Sequence, residues 1–140
     1  MANYWKKLNL KIIPHIEMRA RISSKYNEDY IEASVLQAAS LEAVLRTSIT
    51  AIVGSRKKNF KKYWDGDYRF SQLIDIYELL GGRKALAERL RLYNKIRNKI
   101  VHHIYEFKSI HELVSAAKTN YRLGKRITNQ LIKEHRLTEN

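Results

Sequence analysis

The chain has 140 residues, the length of one domain with its own core, and it is 44% apolar with a single proline, which excludes a disordered polypeptide. Cysteine is absent, which removes disulfide frameworks, thiol nucleophiles and cysteine-based zinc sites, and fits a reducing cytoplasmic setting. The formal net charge of +13 is spread over both halves and suits a polyanionic partner, nucleic acid first and an acidic protein second, unless it is simply the surface of a lysine-rich soluble protein.

No stretch approaches the roughly 18 apolar residues of a membrane span, and the N-terminal run Leu8-Asn9-Leu10-Lys11-Ile12-Ile13 is too short and interrupted for a signal peptide. The pattern predicts a first helix from about Leu8 to Ser23, with Pro14 opening or kinking it. Asn27-Glu28-Asp29 then supplies a cap and acids for a long helix reaching about Val53. Its apolar positions Leu36, Leu41, Val44, Leu45, Ile49, Ile52 and Val53, interspersed with Ala33, Ala38 and Ala39, favour close packing on another helix, and Gly54 closes it.

The run Arg56-Lys57-Lys58-Asn59-Phe60-Lys61-Lys62-Tyr63-Trp64 interleaves five cations with three rings. That composition suits single-stranded nucleic acid, with Arg56, Lys57, Lys58, Lys61 and Lys62 for the backbone and rings for the bases; equally, it suits a basic segment whose rings pack on the core. Asp65-Gly66-Asp67 reads as a turn without the spacing of a calcium loop. From Ser71 to Leu80 a short helix is expected, capped by Ser71, with Leu73, Ile76, Tyr77 and Leu80 inward and Gly81-Gly82 ending it. These glycines lack a phosphate-loop pattern and read as a tight link between antiparallel helices.

A further helix spans about Arg83 to Tyr105, and a last one about Ser109 to His135. The last carries Ile110, Val114, Ala117, Tyr121, Thr128 and Ile132 on one side. Lys118, Arg122, Lys125, Lys133 and Arg136 line an adjacent face, either solvated or in contact with nucleic acid. Without strand-like runs or repeats, the expected fold class is all-α: one domain over 1–140, four or five helices in an up-and-down bundle.

Within the fourth of these helices, Leu86, Leu90, Tyr93, Ile100, Ile104 and Phe107 recur as one buried face, and Arg97 falls in the gap of that pattern. Burying an unpaired charge costs several kcal/mol or more, so Arg97 needs a partner there, and Glu42 is the candidate carboxylate unless it is simply a solvated surface acid. His102 and His103 follow, near a helix C-terminus whose partial negative charge would favour them on structural grounds alone. Imidazole exchanges protons near neutrality, and a guanidinium that keeps its charge suits phosphate. Ideal helix geometry sets His102 about 140° from Arg97 and His103 about 120° away on the other side, so geometry leaves the choice between them open. Adjacent helical histidines diverge, and His15, His111 and His135 show no ligand spacing, so no metal site is expected.

Arg97-Asn98-Lys99-Ile100-Val101-His102 resembles the signature of the HEPN superfamily: an arginine, a polar residue, three residues, a histidine. These are small helical domains found in many prokaryotic defence and toxin–antitoxin systems. The resemblance implies an HEPN-like helical bundle that dimerises with its motif helices face to face, and for many members a metal-independent ribonuclease needing no cofactor. Others have lost the motif and only bind nucleic acid or a partner protein. In the toxin subgroup the histidine is often followed by any residue and a tyrosine. His102-His103-Ile104 departs from this, whereas His103-Ile104-Tyr105 restores the tyrosine with one extra residue after Arg97.

The chemistry expected of such a site uses the 2′-hydroxyl of RNA as nucleophile. One histidine would take its proton, the other would protonate the leaving 5′ oxygen, and Arg97 would stabilise the phosphoryl charge. Asn98, one turn before His102, would orient it. The implied partners are RNA, a second copy of the chain, and an acidic antitoxin or a nucleotidyltransferase.

Overall fold

In the computed structural model, residues 29–54 and 67–137 are described. The helix expected over 8–23 and the basic aromatic run 56–64 lie outside them. Among the described residues the fold is entirely helical: α1 (Tyr30–Val53), α2 (Phe70–Leu79), α3 (Lys84–His102), a 3-10 turn (Ile104–Glu106) and α4 (Ile110–Glu134). None of these helices is long and apolar enough to cross a membrane.

α1 begins where the sequence predicts. Asp29 Oδ1 accepts the Glu32 N–H at 3.0 Å, satisfying one of the donors that every helix start leaves open. At the other end the Gly54 N–H donates to the Thr50 carbonyl at 2.7 Å.

α2 departs from expectation at its start. Gln72 Oε1 accepts the Arg69 N–H at 2.8 Å, so Arg69 occupies the cap position and Ser71 is exposed inside the first turn. The inward stripe is Phe70, Leu73, Ile74 and Tyr77, while Ile76 and Leu80 are only half-buried. Starting one residue earlier makes Phe70 the first member of an i, i+3, i+4, i+7 set, which fixes the facing of the rest. Gly81 then takes φ +100°, a left-handed conformation that reverses the chain into α3.

α3 stops earlier than predicted. His103 leaves the helical region at φ −131° and ψ 39°, and Ile104–Glu106 tighten into the 3-10 turn. The buried stripe therefore ends at Ile100; Ile104 is exposed and Phe107 half-buried.

α4 is capped by Ser109, whose Oγ accepts the Glu112 N–H at 3.1 Å. Its buried face is Leu113, Ala117, Asn120, Gly124, Ile127, Thr128 and Leu131, rotated from the expected one: Ala117 and Thr128 are inside, whereas Ile110 and Ile132 are exposed. A polar residue and a glycine explain the rotation. Asn120 Nδ2 donates to the Tyr93 carbonyl at 3.3 Å, and a Cβ at Gly124 would collide with Gln37 and Tyr93. Neither residue registers in an apolar period.

Cross-helix bonds give the directions. α1 and α4 run parallel, since Ser34 Oγ donates to the Ala117 carbonyl and Gln37 Nε2 to the Tyr121 carbonyl. α3 runs antiparallel to α4, with Asn120 meeting Tyr93 and Arg89 meeting Gln130. The main core joins Leu41, Leu45, Ile49, Leu73, Leu86, Leu90, Tyr93, Ile127 and Leu131 from all four helices. A small second cluster of Ile100, Leu113 and Ala117, edged by Ile96 and Phe107, holds the far end of α3.

Candidate functional site

The site is built outward from Tyr93. Its ring is fully buried, 6.3 Å from that of Phe70, and its hydroxyl donates to the Ser34 carbonyl at 3.5 Å. Burial pushes the phenol pKa well up, opposed by the positive charge of Arg97 one turn further along the helix. The core thus fixes α3 immediately before the residues that carry the chemistry.

From there Arg97 enters a cleft of about 690 Å³. Asn94, Asn98 and His102 share its lining from α3, His103 from just past its end, Glu42 comes from α1, and residues 67–71 complete it. Asn94, Asn98 and His102 follow at steps of four, which puts them on one stripe of the helix. His103, the residue at which the helix ends, lines the same cleft, its φ of −131° outside the helical region while its N–H still donates to the Lys99 carbonyl. Sequence reasoning left the two histidines diverging; in the structure both line one cleft.

Arg97 itself is not a buried core charge. It is half-buried at the cleft wall, and among the described residues no carboxylate pairs with it. Glu42, the expected partner, shares the cleft but pairs with Arg46 at 3.5 Å on its own helix. Residues four apart on one helix meet with little loss of freedom, and Arg46 has a second use. Its guanidinium also donates to the Tyr68 carbonyl at 3.3 Å, tying the segment before α2 to α1. Sequence reasoning passed over Arg46, although the Glu42-to-Arg46 spacing was a readable signal, and it passed over Arg69 and Asn94 as cleft residues.

Beside the cleft, His103 Nδ1 and the Tyr105 hydroxyl share a 3.2 Å hydrogen bond, with the rings edge to face at 5.9 Å and the Glu106 carboxylate 3.7 Å from the same nitrogen. Tyr105 is otherwise 76% exposed. Asn94 Oδ1 is buried without a hydrogen-bond partner. Among the described residues no three imidazole or carboxylate groups gather closely enough to hold a metal ion.

The basic stripe of α4 lies elsewhere. Arg122 and Lys125 are exposed, and Lys118 holds its ammonium 5.5 Å from the Tyr30 ring; none of the three lines the cleft. Arg56, Lys57, Lys58, Lys61 and Lys62 lie outside the described residues. The cleft can therefore do three things with its own side chains: bind an anion through a guanidinium, transfer protons through two imidazoles, and orient polar atoms through two amides. Compared with family models, curated proteins and solved structures, the chain matches none.

Proposed function

We propose that the chain is an RNA endonuclease of HEPN type, cleaving by transesterification without a metal ion, with the α3 cleft as its site. What supports this reading is that Arg97, Asn98, His102 and His103 line one open cleft with a carboxylate, Glu42, in the same lining. In the reaction, a neutral imidazole, or the Glu42 carboxylate, takes the 2′-hydroxyl proton as the 2′ oxygen attacks phosphorus. Arg97 stabilises the charge on the phosphoryl oxygens. The other imidazole, protonated, donates its proton to the departing 5′ oxygen, leaving a 2′,3′-cyclic phosphate. DNA, lacking the hydroxyl, is spared.

A second copy of the chain belongs to this reading. Val101, Ile104 and Tyr105 expose apolar surface beside the histidines, and a two-fold partner would cover it while doubling the site. The positive surface, with Lys118, Arg122 and Lys125 on α4, would steer RNA toward the protein and would equally draw an acidic antitoxin or nucleotidyltransferase partner in a toxin–antitoxin or defence setting.

The test is cleavage of a labelled structured RNA in excess chelator, run beside Arg97→Ala, His102→Ala and His103→Ala. Wild type is expected to cut and leave cyclic phosphate ends. Arg97→Ala is expected to lose about 10²–10³-fold in rate with its melting temperature unchanged. Folded wild-type protein that cuts none of several RNAs would sink the reading. A second reading, a non-catalytic module binding RNA or a partner, is favoured by one observation: among the described residues no hydrogen bond orients His102. Under that reading Arg97→Ala weakens binding and there is no cleavage to lose.

A further inference from the structure

Among the described residues, the arginines between Tyr30 and His102 divide into two groups. Arg46 pairs with Glu42, Arg83 with Glu134 and Arg91 with Asp75 and Glu78, while Arg89 donates to Gln130. Among the described residues, Arg69 and Arg97 have no such partner, and both line the same cleft. An arginine left without a carboxylate on an open surface is ordinary. Two of them in one concavity, contributed by different segments, make an anion site with two positive poles.

The segment carrying Arg69 is fixed from several directions. Its N–H donates to Gln72 Oε1 at 2.8 Å, its carbonyl accepts the Leu73 N–H at 3.0 Å, and the preceding carbonyl, of Tyr68, is held by Arg46. The following ring, Phe70, packs on Tyr93, one turn before Arg97 on α3. A cation on such an immobilised backbone loses less freedom on binding than one on a free loop. The cleft, at about 690 Å³, is of the size that encloses a drug-sized molecule, well beyond a single phosphate group. Its two carboxylates, Glu42 and Asp67, leave the guanidiniums as the places where phosphates can sit, because a phosphate set against a carboxylate is repelled.

We propose that Arg69 holds the phosphate next to the one that Arg97 faces, so that the cleft takes an oligoribonucleotide strand through two successive phosphates rather than one isolated phosphodiester. The inference rests on the RNA-binding part of the proposed function and adds to it a subsite and a minimum ligand length.

The experiment measures binding of two uncleavable ligands, both 2′-deoxy: a trinucleotide with two phosphodiesters and a dinucleoside monophosphate with one. The full chain is titrated by NMR, which reads weak affinities, as wild type, Arg69→Ala, Arg69→Lys and Arg97→Ala. Arg69→Ala is expected to weaken the trinucleotide about tenfold or more and to lower its salt dependence by roughly one phosphate contact. It is expected to leave the dinucleoside monophosphate unchanged, while Arg69→Lys recovers part of the loss and Arg97→Ala weakens both ligands. Equal losses on both ligands, or none on the longer, overturn the subsite. Because neither ligand can be cut, the outcome separates from that of the nuclease reading. A length-dependent Arg69 effect without RNA cleavage keeps the subsite and removes the nuclease; cleavage without that effect does the reverse. Wild type that binds neither ligand removes the subsite and RNA binding in this cleft together.

Discussion

The two halves of α3 are the same helix in different solvents. The first half buries Leu86, Ala87, Leu90 and Tyr93 in a core shared by all four helices. The second half buries only Ile100, against Leu113 and Ala117, and leaves Asn94, Arg97 and Asn98 half-buried and His102, with His103 just past the end, exposed. The contrast shows how a bundle can host a polar cleft: one end of a helix supplies the stability and the other spends its surface on polar groups. Unsatisfied buried polar atoms, which cost of order 1–3 kcal/mol each, occur in both halves: Asn94 Oδ1 toward the cleft, and Gln37 Oε1 and Asn120 Oδ1 around Tyr93.

The sharpest way to break the comparison is Leu90→Ala. Leu90 is fully buried in the main core, so the substitution is expected to destabilise the whole bundle by about 2–5 kcal/mol, read as a denaturant midpoint shift in which all helices melt together. Ile100→Val probes the other half. Only about 0.5–1.5 kcal/mol is expected there, with faster amide exchange confined to the end of α3 and the 3-10 turn. Uniform acceleration of exchange through α1 and α4 would show that the two clusters are one cooperative core.

The smallest effect is pH dependence at the opposite end of the bundle, where half-buried His135 shares a 2.8 Å hydrogen bond through Nε2 with the Tyr77 hydroxyl. Burial holds the His135 pKa below the ordinary 6.5, with Glu134 opposing. The folded chain therefore resists a proton that the unfolded chain accepts. The stabilisation is present above about pH 6.5 and is lost as pH falls from there through the lower folded-state value. Melting temperatures along an acid series should fall more steeply through this window for wild type than for His135→Gln. Parallel curves would mean that His135 titrates alike in both states.

How much was legible varied along the chain. The α1 cap at Asp29, the stop at Gly54, the link at Gly81-Gly82 and the buried Leu86, Leu90 and Tyr93 all follow from local chemistry, and the sequence displays them. The inward face of α4 was misread because Asn120 and Gly124, which define it, are chosen for what they meet on α1 and α3. The start of α2 was misread because Gln72 caps it from inside. In the cleft, Arg97, Asn98, His102, His103 and Glu42 were nameable from type and spacing, and the i, i+4 spacing signalled the Glu42–Arg46 pair, but nothing in the sequence placed Arg69 there.

The sequence by itself determined the helical class, most element positions and the set of polar residues at the end of α3, because helix periodicity and caps act over a few residues. Only the tertiary structure decided that α3 ends at His102, that both imidazoles line one cleft, and that a second arginine without a carboxylate partner among the described residues lines it with the first. Those outcomes depend on which surfaces meet across tens of residues of chain, and no local pattern encodes the distance between them.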